Sequence, residues 1–168
     1  MAMRTNVHLG SRTLLLGVML GLGLAFPATP DARQTAPDIA VVVHPDVPVD
    51  NLTLADLRRI LLGDREFWTS GSRVTLFIRA PIARERDAMV KDVCQMTEAQ
   101  FRQHWIAKVF RADTATGPKI VYSSQMALEQ VSRTPGAITF VEAPLAGKGV
   151  KVVKIDGKSP GQQGYRLR

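Results

Sequence analysis

The chain has 168 residues, 45% hydrophobic and 22% charged, a size and balance that suit one folded domain with a targeting segment. These values exclude a disordered chain, a collagen-like fibre and a multi-pass membrane protein. Its net charge is +7 and its one cysteine, Cys94, excludes both an intramolecular disulfide framework and a zinc site built on paired cysteines.

The N-terminus carries Arg4 and Arg12 and no acid, then an uncharged apolar run from Thr13 to Phe26, then a polar, Pro-rich stretch. That order is the pattern of a secretory signal, and the run is short of the roughly 20 apolar residues a span requires. Gly23-Leu24-Ala25 puts small residues where a signal peptidase reads them, so residues 1–25 are expected to be a cleaved signal and the protein periplasmic. Residues 26–38 read as a flexible leader, and 39–168 as the domain. Losing the signal removes two arginines and no acid, so the domain stays basic. Its cations (Arg58, Arg59, Arg102, Lys119, Lys151 and Lys154 among them) are scattered and not interleaved with aromatics, which argues against a nucleic-acid partner. A mild positive field still concentrates small anions.

Ile39–His44 is a continuous apolar, β-branched run, as in a strand buried on both faces. Thr53 opens a helix whose Leu54, Leu57, Ile60 and Leu61 share a face, and Gly63 stops it. Phe67 and Trp68 follow in a loop. Arg73–Ile78 reads as the second strand, Arg79-Ala80-Pro81 as a turn, and Ile82–Cys94 as a helix. Thr97 and Gln100 form a capping box, with Met96 and Phe101 as its hydrophobic staple, for a helix carrying Phe101, Trp105, Ile106, Val109 and Phe110. Beyond Gly117-Pro118, Lys119–Tyr122 is a short strand. Ser123 and Ser124 are N-cap types for the helix with Ala127, Leu128 and Val131. Ala137–Val141 and Val150–Ile155 are the last strands. The order β-α-β-α-α-β-α-β-β predicts an α/β fold around a mostly parallel five-stranded sheet flanked by helices.

No set of groups for catalysis assembles. Cys94 reads as a packed apolar thiol, and His104 lacks an orienting acid. His44 stands alone. Glu66, Asp87, Asp92 and Glu142 form no pair, and no nucleophile-elbow, phosphate-loop or dinucleotide fingerprint occurs. The chain is therefore read as a non-enzyme without metal or cofactor. The informative places are the strand-to-helix turns, because α/β sheets bind ligands outside the carboxyl ends of their strands and helix N-termini present free N–H groups to anions. Two such turns offer Arg79 and Arg84, and Ser123 and Ser124. The competing reading is that the serines cap a helix and the arginines are surface charges.

Four stretches carry a resemblance: LTLADLRRILLGDREFW (52–68), RVTLFIRA (73–80), TPGAITFVE (134–142) and VKVVKIDGKSP (150–160), with Tyr165 and Leu167 beyond. Together they resemble the phosphate-binding component of bacterial phosphate ABC transporters, a type II periplasmic binding protein. The resemblance implies a binding-protein-like lobe, phosphate or a related anion as ligand, and a membrane transporter or sensor as partner. It departs from the family in two ways. The family has two lobes and about twice this length, so the chain looks like a single lobe. The family's ligand loop reads Arg-Ser-Asp-Gly-Ser-Gly-Thr, whereas Arg79 is followed here by Ala-Pro-Ile-Ala-Arg-Glu, so only Arg79 carries over as a ligand residue. Arg84, Ser123 and Ser124 are added from the turn argument alone. The alternative is a protein-interaction module that has lost its ligand, anchored by Phe67-Trp68. A homodimer supplying the missing wall would join the two readings.

Overall fold

The computed structural model describes residues 36–114 and 116–168. The expected signal and most of the expected leader lie outside them. Of that leader, Pro37 and Asp38 are bonded into the domain: the Pro37 carbonyl accepts from Arg84 and the Asp38 carbonyl from the Ala143 amide.

Ten elements follow one another: β1 (Ile39–Val43), β2 (Asn51–Leu52), α1 (Leu54–Leu61), β3 (Thr75–Arg79), α2 (Arg84–Ala88), α3 (Glu98–Phe110), β4 (Lys119–Val121), α4 (Ser124–Arg133), β5 (Ala137–Glu142) and β6 (Lys151–Ile155). The sheet order is β2-β6-β1-β5-β3-β4. It has six strands where the sequence predicts five, because Asn51-Leu52, too short to show a periodicity, pairs in parallel with Lys154 and Ile155. β3 runs parallel to β4 and β5, while β1 is antiparallel to both β5 and β6. Five strands thus point one way and the central β1 the other.

The alternation along β1 builds the two cores. Ile39, Val41 and Val43 join Leu57, Ile60, Leu61, Met89, Val93, Phe101 and Trp105 on the face covered by α1, α2 and α3. Ala40 and Val42 join Phe77, Val121, Ala127 and Val131 under α4 on the other. Burial on both faces explains why β1 is β-branched throughout. Trp68 is part of the first core, 2% exposed, with its indole N–H donating to the Gly136 carbonyl at 2.8 Å. The expected Phe67-Trp68 surface anchor therefore reduces to Phe67. Gly136 has φ +75°, and a Cβ there would stand 2.2 Å from the Arg73 carbonyl oxygen, so this turn requires glycine.

Two helices differ from expectation. The segment 82–94 begins its helix only at Arg84, since Pro81 turns the chain and Ile82 takes φ +81°; after Ala88 it widens into a π-helical turn over Met89–Val93. In α3 the capping box forms as expected. Its apolar stripe, however, outruns the surface available to cover it. Phe101 and Trp105 are buried, while Ile106, Val109 and Phe110 are exposed, Phe110 at 90%. No described helix is long and apolar enough to cross a membrane.

Candidate functional site

The chain leaves β3 into α2 on one face of the sheet and leaves the adjacent β4 into α4 on the other. Adjacent parallel strands whose following helices diverge leave a crevice at their carboxyl ends, the usual place for a ligand in such sheets. The side chains there are Arg79, from the end of β3, and Ser123 and Ser124, from the turn after β4.

Arg79 and Ser124 meet in this crevice: the guanidinium Nη1 donates to Ser124 Oγ at 3.0 Å. The Arg79 Nε is buried with no partner among the described residues. Ser123 faces the other way, as the N-cap of α4, accepting from the Met126 amide at 3.0 Å. Arg84 is not part of the cluster. It lies across the same end of the sheet, bonded to Glu142 at 3.2 Å and to the Pro37 carbonyl, beside a surface groove that also holds Asp38, Gln162 and Arg168. The structure thus joins two of the four sequence-derived residues.

Three residues that the sequence did not nominate complete the arrangement. Glu85, in the first turn of α2, is only 6% exposed, and its Oε1 accepts from Ser124 Oγ at 3.0 Å. Arg86, also buried, donates from Nη1 to the Arg79 carbonyl at 2.9 Å. Its Nε and Nη2 grip both carboxylate oxygens of Glu98 at 2.9 and 2.6 Å. Arg86 also lies over the Phe101 ring, 5.6 Å from its centroid. Nothing local to Glu85 in the sequence marks it, because its contact with Ser124 depends on β3 and β4 being neighbours.

The remaining candidates have structural posts. Cys94 is buried, and loss of solvent pushes its thiol up to about 12, so it carries no thiolate near neutral pH. The His104 ring bonds the Leu62 carbonyl at 2.9 Å, and His44 Nδ1 accepts from the Asp46 amide. Burial also raises the Tyr165 phenol, which donates to the Ile39 carbonyl at 2.8 Å. A separate cleft of about 170 Å³ between Arg65, Glu66, Arg73, Trp105 and Lys119 lies at the opposite, amino end of β3 and β4.

Fold and crevice together define an α/β domain with a mixed six-stranded sheet and a crevice at the carboxyl ends of two adjacent parallel strands. No protein-family model matches the sequence, and no curated protein matches it. Solved structures do. An ABC-type phosphate transport receptor from Vibrio cholerae is 22% identical with a TM-score of 0.60, over 74% of this chain and 48% of that one. PstS from Borrelia burgdorferi is 16% identical with a TM-score of 0.63, over 78% and 54%. A Clostridium perfringens protein described as a phosphate ABC transporter substrate-binding protein, solved with bound phosphate, is 20% identical with a TM-score of 0.59, over 73% and 46%. The chain is thus similar to phosphate-binding proteins of ABC transporters and spans about half the length of each. At these identities the likeness concerns the fold.

Proposed function

We propose that this domain is exported and binds a tetrahedral oxyanion of the phosphate class at low affinity in the crevice between β3 and β4. It serves a membrane transporter or sensor and performs no chemistry. The observation that carries this reading is the convergence of the Arg79 guanidinium and the Ser124 hydroxyl where β3 and β4 end. A phosphate oxygen there would receive charge-assisted hydrogen bonds from Arg79, whose Nε has no partner among the described residues, beside the positive end of α4. The phosphate-binding neighbours support the ligand class.

Arg79 and Ser124 reach an anion from one side only. The expected Kd is on the order of 0.1–1 mM, or about −4 to −5.5 kcal/mol. Phosphate titration followed by ³¹P line broadening, with sulfate and chloride at matched ionic strength, measures it. Arg79→Ala is expected to abolish binding in a protein that still melts cooperatively. Unchanged affinity in that variant removes Arg79 from the site.

A second reading, a ligand-free interaction module, is favoured by one observation. Ile106, Val109 and Phe110 of α3 and Ile120 of β4 are all exposed and line adjoining clefts. Contiguous exposed apolar surface marks an interaction site, and a second copy of the chain would supply a wall. Light scattering over a concentration series distinguishes a monomer from that dimer.

A further inference from the structure

Glu85 is the one feature of the crevice that anion binding does not call for. A buried carboxylate is costly unless its charge is compensated. The neighbouring cations of α2 are already committed, Arg84 to Glu142 and Arg86 to Glu98. Glu85 instead accepts from the Ser124 hydroxyl, which in turn accepts from Arg79. The carboxylate and the guanidinium sit on either side of one hydroxyl oxygen, each 3.0 Å from it. An incoming oxyanion would use the same hydroxyl and the same guanidinium. Two anions on one hydroxyl repel strongly at low local dielectric.

We propose that Glu85 is a tethered occupant of the oxyanion seat. Its carboxylate takes the place of the free anion on Ser124 and offsets the charge of Arg79. Free anion binds only by displacing it, so this residue sets the affinity of the site. The inference rests on the oxyanion reading above and names the residue that holds that affinity low. Removing the charge while keeping an acceptor oxygen, Glu85→Gln, leaves the Ser124 hydrogen bond in place and frees Arg79 for an external anion.

The test is titration of inorganic phosphate into wild type, Glu85→Gln, Arg79→Ala and the double variant Arg79→Ala/Glu85→Gln, with chloride at matched ionic strength. Each variant is first shown to be folded by its thermal melt. Glu85→Ala, which removes the tether altogether, repeats the measurement if the glutamine variant melts early. Glu85→Gln is expected to bind phosphate at least about tenfold more tightly than wild type, a gain of about 1.4 kcal/mol. That gain disappears in the double variant. If wild type binds phosphate through Arg79 and Glu85→Gln binds no better, the tethered-occupant proposal is overturned and the oxyanion reading stands. A gain that survives the loss of Arg79 also overturns it, since the anion then sits elsewhere. If neither wild type nor Glu85→Gln binds at about 10 mM phosphate, the oxyanion reading fails and takes this proposal with it.

Discussion

Arg86 ties the crevice to the body of the domain, and replacing it with alanine tests that role quantitatively. Its side chain is buried and joins three elements: α2 through its own backbone, β3 through the Arg79 carbonyl, and α3 through Glu98 and Phe101. Arg86→Ala strands the partly buried Arg79 carbonyl, which costs about 1–2 kcal/mol. The stacking on Phe101 contributes about 1 kcal/mol. The two-pronged bond to Glu98 is discounted to about 1 kcal/mol because that carboxylate is 41% exposed and water replaces the lost partner. Together these predict a loss of about 3 kcal/mol, which in a domain of this size lowers Tm by roughly 10 °C. Differential scanning calorimetry reads it directly. Glu98→Gln should lose only about 1 kcal/mol, because it keeps the carbonyl bond and the stacking. An Arg86→Ala protein melting within about 3 °C of wild type, or a Glu98→Gln protein as damaged as Arg86→Ala, would refute the ranking of these terms.

Two other substitutions give readings of opposite sign. Ile82 combines φ +81° with full exposure, so a β-branched side chain stands in the left-handed region with nothing covering it. Ile82→Gly releases about 1–2 kcal/mol of strain and gives back about 0.5–1 kcal/mol to unfolded-chain entropy, so Tm should rise by a few degrees; a fall would show that Ile82 makes a contact worth more than its strain. Cys94, raised from 9.0 to about 12 by burial, keeps its proton in the folded state when the unfolded chain has lost it. Its contribution is therefore fully present below about pH 9 and is lost as pH rises toward 12, by up to about 1.4 kcal/mol per unit. Urea midpoints between about pH 8 and about pH 10 should fall for wild type and fall less for Cys94→Ala; parallel slopes would place the lost proton on another group.

What the sequence disclosed and what it withheld divide along a physical line. β1, α1, α3 and α4 were legible because each carries its own pattern: a β-branched run, a four-residue apolar spacing, or a hydroxyl at the cap. β2 was not, because two residues carry no period and the strand exists only through its ladder with β6. The direction of β1 was also hidden, since alternating strands and helices read as parallel until the ladders are seen. In the crevice, Arg79 stood out through its place at the end of a strand. The pairing with Ser124 depends on which strands are neighbours, and nothing local to residues 79 or 124 encodes that. The place of Arg84 was hidden for the same reason: the partner that draws it away from Arg79 and Ser124, Glu142, is 58 residues distant and at the end of β5.

The buried glutamate has an explanation in electrostatics. The Arg79 guanidinium lies half-buried at the end of β3, its Nε without a partner among the described residues. Desolvating a guanidinium without a counter-charge is unfavourable, so the domain gains from an internal carboxylate near Arg79. Glu85 provides one, through Ser124. On the tethered-occupant proposal the same carboxylate also lowers the affinity for free anion. Glu85→Thr, which removes the carboxylate, should therefore lower Tm in the absence of phosphate and raise its dependence on phosphate concentration. If the threonine variant is as stable as wild type without phosphate, charge compensation is not the reason Glu85 is there.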